Sequence, residues 1–332
     1  MQKVGLISLA AIAAVSLASN AIAAKGVIRL AHDNTSHAAI PYIAEKKGFY
    51  KAEGIEVKRR VTAPRALIDA LIGGTVEVIS TRGSRVGQIA ARGMDVVGIA
   101  LNRYGNQNMV IVPLKDKTTK SVKDLVGKTV GAQMGSGTWA TWMTYLSRIG
   151  LSDKDFKIRN TKTDSLPAAF VTGGLDAGLT WEPWGSIILD KGLGRMVMGP
   201  KDYDELLGYT SPVFLTTSWS FIKKKDPEGA ARFVRAHVRA MRFVNTRRDE
   251  TATLMRDFWK SQGLKFTVAK VKKDLYNFMR WDRAMITHKD LKEVQDGVDV
   301  SVKKKKLPKR IDVTKHIDVS LVEKAYFSLM KN

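Results

Sequence analysis

The chain has 332 residues, no cysteine and a formal net charge of +23 at pH 7. The missing thiols exclude disulfides, cysteine-ligated zinc, iron–sulfur clusters and thiol nucleophiles, and the length suffices for one or two lobes with cores of their own. Its Lys and Arg residues are spread out, except for Lys303, Lys304, Lys305 and Lys306 with Lys309 and Arg310, and no nucleic-acid-binding motif accompanies them. The charge therefore reads as a basic surface whose summed field draws anions.

At the N-terminus, Met1 to Lys3 give a short positive start, residues 4–18 are apolar or small, and Ala21-Ile22-Ala23 is a small-x-small site. This three-part layout predicts a secretory signal peptide over residues 1–23, cleaved after Ala23. The apolar run is shorter than the about 20 residues of a membrane-spanning helix. With no cysteine to accept a lipid anchor, the mature protein is expected free in the periplasm.

From Val27 onward, strand-like and helix-like segments alternate, which predicts an α/β fold with largely parallel sheets. Val27-Ile28-Arg29-Leu30-Ala31 reads as a first strand. The polar run 32–37 follows, then Ala39, Ile40, Ile43 and Ala44 recur at helical spacing up to Gly48. Ile55-Glu56-Val57 begins a second strand, Leu67, Ile68, Leu71 and Ile72 mark a second helix, and residues 76–79 form a third strand. An internal echo then stands out. Residues 70–78 (Ala-Leu-Ile-Gly-Gly-Thr-Val-Glu-Val) align with residues 169–177 (Ala-Phe-Val-Thr-Gly-Gly-Leu-Asp-Ala). In both, a helix ends at a glycine and a strand starts with an acid at its third position, which points to two lobes of similar build. Residues 108–113 and 212–222 are apolar strands expected to cross between lobes and form a hinge. The remainder reads as helical: Asp226-Pro227 is an N-cap with a favoured first residue, and Ala230, Val234, Val238, Met241 and Val244 form one stripe. Weaker helical patterns cover residues 254–259, 275–285 and 321–329. The expected domains are 1–23 as leader, 24–110 with 220–332 as lobe one, and 111–219 as lobe two.

In open α/β sheets, ligands sit beyond the carboxyl ends of the strands, where helix N-termini face them. Three segments take that place: 32–37, Ser80-Thr81-Arg82-Gly83-Ser84, and Gly135-Ser136-Gly137-Thr138 after the strand 129–133. In the third, glycines bring backbone close, and free N–H groups with the Ser136 and Thr138 hydroxyls can meet an anion; an ordinary N-cap is the other role open to Ser136 or Thr138. Arg82 has the fork to clamp a sulfonate or carboxylate, or lies on the surface. Trp181-Glu182-Pro183-Trp184 follows the second echo strand, where the tryptophans either wall a pocket or pack, and Glu182 can orient a cation or a hinge. Asn102-Arg103-Tyr104 is placed on the hinge side. The spacing of His32 and His37 matches no metal motif. No Gly-x-Ser-x-Gly elbow or phosphate-binding Lys loop is present, and no nucleophile is paired with a base. Neither metal, cofactor nor catalysis is expected.

The ordered set Ile43-Ala44-Glu45-Lys46-Lys47-Gly48-Phe49-Tyr50 with Glu53-Gly54-Ile55, then residues 70–78, Gly135-Ser136-Gly137-Thr138 and Trp181-Glu182-Pro183-Trp184 resembles the periplasmic solute-binding proteins for sulfonates, taurine, nitrate and thiamine-pyrimidine precursors. The resemblance covers residues 27–221; beyond that the chain shares only helical character. It implies a type II-like fold of two lobes joined by two crossovers and closing on ligand, a helical C-terminal part, and a monomer serving an ABC permease and its ATPase. Carried onto this sequence, it implies ligand contacts from Thr35, Ser36, His37, Ser80, Thr81, Arg82, Ser136, Gly137, Thr138, Trp181, Glu182 and Trp184. Arg82 departs from the small residues typical there and leans the ligand toward an acid: a sulfonate, a taurine-like solute or a carboxylate. A pyrimidine or amine nutrient, a sensory binding protein and a pyrimidine-synthase-like enzyme are the alternatives; the cysteine-rich segment of the last is missing.

Overall fold

The structure is a computed structural model that describes residues 26–64, 66–208 and 211–330. The expected leader, residues 1–23, lies outside the described residues. Ten strands build two five-stranded sheets. The first sheet takes β1 (Val27–His32), β2 (Glu56–Val61), β3 (Val78–Arg82) and β4 (Val97–Arg103). The second takes β5 (Asn108–Pro113), β6 (Thr129–Ala132), β7 (Lys157–Asn160), β8 (Ala177–Trp181) and β9 (Gly194–Met198), and β10 (Val213–Thr217) returns to the first. The orders are β2-β1-β3-β10-β4 and β7-β6-β8-β5-β9. In each sheet one strand, β10 or β5, runs antiparallel to its two neighbours. The expected two-lobe α/β architecture is what the chain adopts.

The echo marks the same place in both lobes. Its strands, β3 and β8, lie at the centre of their sheets, and the aligned glycines Gly74 (φ +66°) and Gly173 (φ +73°) close the preceding helices. The acid in each copy has a fixed task. Glu77 accepts the Arg29 N–H at 2.7 Å through its side chain while its own N–H donates to the Arg29 carbonyl at 2.9 Å. Asp176 does the same with Thr129, at 2.8 and 2.9 Å. Each acid thus supplies a partner for an N–H of the neighbouring strand, Arg29 within β1 and Thr129 at the start of β6.

Helices cover both faces of each sheet, so the inner strands are apolar on both sides, whereas the edge strands β2 and β7 are charged and partly exposed. Along β5, Val110 and Val112 join one buried cluster and Met109 and Ile111 another, the period of two that a strand imposes. The C-terminal part packs on the first lobe. Its longest helix, Pro227–Thr246, begins where the Asp226 side chain accepts the Gly229 N–H at 2.9 Å, and the predicted stripe from Ala230 to Val244 is buried.

The crossings differ from expectation. Residues 108–113 do not cross; they form β5, wholly in the second sheet, and β10 lies wholly in the first. The chain changes lobe just before Asn108 and just before Val213, ahead of the expected limits at 110/111 and 219/220. An apolar run looks alike whether it spans lobes or fills a sheet, so composition misplaced the boundary. The second run also ends early, at Thr217, because the Asp95 carboxylate accepts the N–H groups of Trp219 (2.8 Å) and Ser220 (3.1 Å) and turns the backbone away. The helical pattern 275–285 is likewise displaced: the helix is Val268–Asn277, and Trp281 packs outside it with its indole N–H on the Leu275 carbonyl at 3.1 Å. In the first crossing, Gly105 (φ +105°) has no room for a side chain, since a Cβ would stand 2.1 Å from the Phe278 carbonyl oxygen.

Candidate functional site

The three segments singled out beyond the strand ends converge between the lobes, but with unequal parts. After β1, Asp33 is 4% exposed, so protein groups rather than water must hold its charge. The Thr35 N–H (3.0 Å) and hydroxyl (2.5 Å) donate to one oxygen, and His37 Nδ1 lies 2.9 Å from the other. Burial pushes this carboxyl up, but His37 and Thr35 outweigh burial and hold it well below the usual carboxylate range. On its far side, His37 Nε2 meets the Arg103 guanidinium at 3.2 Å. A guanidinium only donates, so Nε2 accepts and Nδ1, beside the Asp33 carboxylate, carries the proton. Burial, opposed by Asp33, lowers the His37 pKa and favours that neutral form. Arg103 is buried completely; its pKa is lowered by burial to about 9, which leaves it charged at neutral pH.

Arg82 is the group that reaches across. It ends β3 in the first sheet, yet its guanidinium donates to the Asn108 Oδ1 of β5 at 3.0 Å and to the Ser211 hydroxyl on the returning crossover. Its stem lies against the start of the helix Gly137–Arg148: a Cβ on Gly137 would stand 2.1 Å from Arg82 Cδ, so only glycine leaves the space. Burial lowers the Arg82 pKa to about 10, and the charge persists at neutral pH. Ser136 caps this helix, accepting the Trp139 N–H at 3.1 Å. The Thr138 hydroxyl donates to Asn108 Oδ1 at 2.7 Å. A guanidinium and the positive end of a helix dipole thus face one another across the cleft. That pairing is unfavourable by itself and favourable around an anion.

A cavity of about 40 Å³ at this point is lined by Asp33, His37, Thr81, Arg82, Gly137, Thr138 and Trp181, among others. Trp181 also borders a wider cavity of about 450 Å³ that Thr35, Gln133, Lys162 and Trp184 help to line. Of the predicted contacts, Thr35, His37, Thr81, Arg82, Ser136, Gly137, Thr138, Trp181 and Trp184 therefore line these spaces. Three do not. Ser80 is fully buried and accepts from Asn102 at 2.9 Å. Ser36 donates to Gln107 at 3.2 Å. Glu182 turns away from the cleft to accept the N–H and hydroxyl of Ser186 at 3.2 and 2.9 Å, where burial, and then the charge of Asp274, push its pKa up to about 7. Asn108, Gln107 and Arg85 are the residues sequence reasoning missed. Asn108 read only as the first residue of an apolar strand; its polarity at that position was the available signal.

The family model described as "NMT1/THI5 like" matches residues 34–251. A Bacillus subtilis (strain 168) protein named "Putative aliphatic sulfonates-binding protein" is 25% identical over 288 residues, 85% of this chain and 83% of the relative. The alkanesulfonate-binding protein SsuA from Xanthomonas axonopodis pv. citri, solved bound to MOPS, superposes with a TM-score of 0.74 at 20% identity, over 90% of this chain and all of that one. A nitrate-binding protein, NrtA from Synechocystis PCC 6803, gives a TM-score of 0.70 at 15% identity, over 92% and 89% of the two chains.

Proposed function

We propose a function from the premise that the chain belongs to the NMT1/THI5-like family: it is the periplasmic substrate-binding component of an ABC importer, and takes a small organic anion in the cleft between its lobes. The observation that carries this is the Arg82 side chain laid against the Gly137 helix start, two positive groups from opposite lobes with a cavity of about 40 Å³ beside them. An anion there would be bound by both lobes at once and would favour their closed arrangement, which is the state a permease must recognise. The sulfonate and nitrate ligands named for the relatives support an oxyanion head group. Binding without chemistry is favoured because the polar side chains here are already committed: both His37 nitrogens face Asp33 and Arg103, and the Thr138 hydroxyl faces Asn108. None is left as an activated nucleophile with a base beside it. Export of the mature chain after residue 23 completes the proposal, and no helix among the described residues is long and apolar enough to cross a membrane.

The test is a thermal-shift panel on the mature protein with sulfonates, taurine, nitrate, aliphatic and aromatic carboxylates, pyrimidines and amines, since a ligand of the folded state alone raises Tm by mass action. A rise with one class of acid, and none with uncharged analogues, is expected. A rise only with a pyrimidine or amine would favour the alternative ligand class, for which the two tryptophans on the wider cavity, Trp181 and Trp184, are the supporting observation.

A further inference from the structure

On the side of Arg82 away from Trp181 lies another cavity, of about 280 Å³, which no part of the anion site explains. Its walls are the first-lobe helices Gly83–Ala90 and His288–Lys303 and the second-lobe helix Gly137–Arg148. The middle is apolar, with Trp139, Met143, Val294 and Leu307. Each end is cationic. One end is the cleft itself, where Arg82 and Ser136 border both cavities and Arg85 donates to the Gly135 carbonyl. At the other, Lys304 Nζ reaches across the lobes to the Met143 carbonyl at 3.4 Å, with Lys306 close by and Arg92 also in the wall. Ser136 and Met143 lie about two helical turns apart, which sets the ends about 10 Å from one another.

The charge of this chamber is unbalanced. Its one acid, Glu293, is at the Arg82 end, with both carboxylate oxygens on the Ser211 N–H at 2.8 and 3.1 Å. At the far end, no carboxylate among the described residues lies within ion-pairing distance of Arg92, Lys304 or Lys306. Burial, and then the charge of Lys306, lower the Lys304 pKa, and the more distant Asp153 carboxylate offsets them only in part. We propose that this chamber extends the binding site, and that the protein takes an elongated organic dianion: one acid group at Arg82 and the Gly137 helix start, an apolar spacer along Trp139 and Met143, and a second acid group at Lys304, Lys306 and Arg92. The proposal rests on the anion reading of the cleft and narrows its substrate class. A ligand of this length joins three helices from two lobes, so the far acid group adds to closure as well as to affinity.

Calorimetric titration of the mature full-length chain with three probes tests it: azelate, a nine-carbon α,ω-dicarboxylate whose extended chain matches the span; nonanoate, the same chain with one acid; and ethanesulfonate, a head group alone. Azelate is expected to bind at least tenfold more tightly than nonanoate. The Lys304→Ala/Lys306→Ala variant is expected to lose that ratio, and the Lys51→Ala/Lys324→Ala variant, with the same charge removed from exposed positions elsewhere, to keep it. Equal binding of azelate and nonanoate, or a ratio that survives Lys304→Ala/Lys306→Ala, overturns the chamber. Should ethanesulfonate still bind in that case, the cleft reading stands alone; should no anion bind, both fall.

Discussion

Gly105 and Glu182 show how single residues set the properties of the hinge and its surroundings. At Gly105 the backbone is in a region closed to side chains, and the atom blocking a Cβ is the backbone oxygen of Phe278, which cannot swing aside. Gly105→Ala should therefore destabilise the fold by about 2–3 kcal/mol, the combined cost of strain and displacement. Chemical denaturation would show this as a lower midpoint at unchanged slope; an unaltered midpoint would mean that the first crossover is looser than its geometry. Glu182 makes a prediction in pH. Its folded pKa, pushed up to about 7, stands above the ordinary glutamate value of 4.5, so between those values the folded state holds a proton that the unfolded state has released. Stability is then lost as pH rises from about 4.5 to 7, and the loss is complete above 7. Glu182→Gln keeps an acceptor for Ser186 and removes the titration. Its Tm relative to the unmodified chain should rise from pH 5 to pH 8; a difference independent of pH would show that Glu182 is ionised throughout.

Among the elements, the echo carried the most information because it repeats. The glycine that closes each helix is a requirement of the chain within a few residues and is legible directly, whereas the acid showed only by its recurrence, since the N–H it satisfies belongs to a strand far away in sequence. Asp176→Ala should cost about 1–2 kcal/mol through the unpaired Thr129 N–H, read as a fall in denaturation midpoint, and Glu77→Ala should act in the same direction in the other lobe. No change in either would remove the acid from its assigned task. The Ser136-Gly137-Thr138 helix start was legible for the same local reason as the glycine. What was not legible depended on distant partners. Arg82 was visible as a residue type, but its packing on Gly137 brings together two lobes. Asn108 joins Arg82 and Thr138 only because β5 begins beside both. Glu182 sat in the right motif and pointed the wrong way, since the adjacent Ser186 offered two donors on the side away from the cleft. The strand 212–222 and the helix 275–285 were misjudged in extent because Asp95, far away in sequence, and Leu275, at the very start of the pattern, decide where backbone turns.

At the scale of the molecule, a positive surface, two lobes of matching build and a cleft with cations on one side and a helix start on the other form one device. In the proposed function, long-range charge draws an anion in, and short-range hydrogen bonds from both lobes hold it. Closure and binding are then the same event: a ligand with contacts to both lobes favours their approach by the difference in its affinity for the open and closed forms. The measurement that bears most directly on this account is the calorimetric titration of the mature protein and its Arg82→Ala variant with the best anion of the panel, beside their melting temperatures. The account predicts that the variant keeps a Tm within a few degrees of the unmodified chain and binds the anion at least tenfold more weakly. A folded Arg82→Ala variant with full affinity would contradict it.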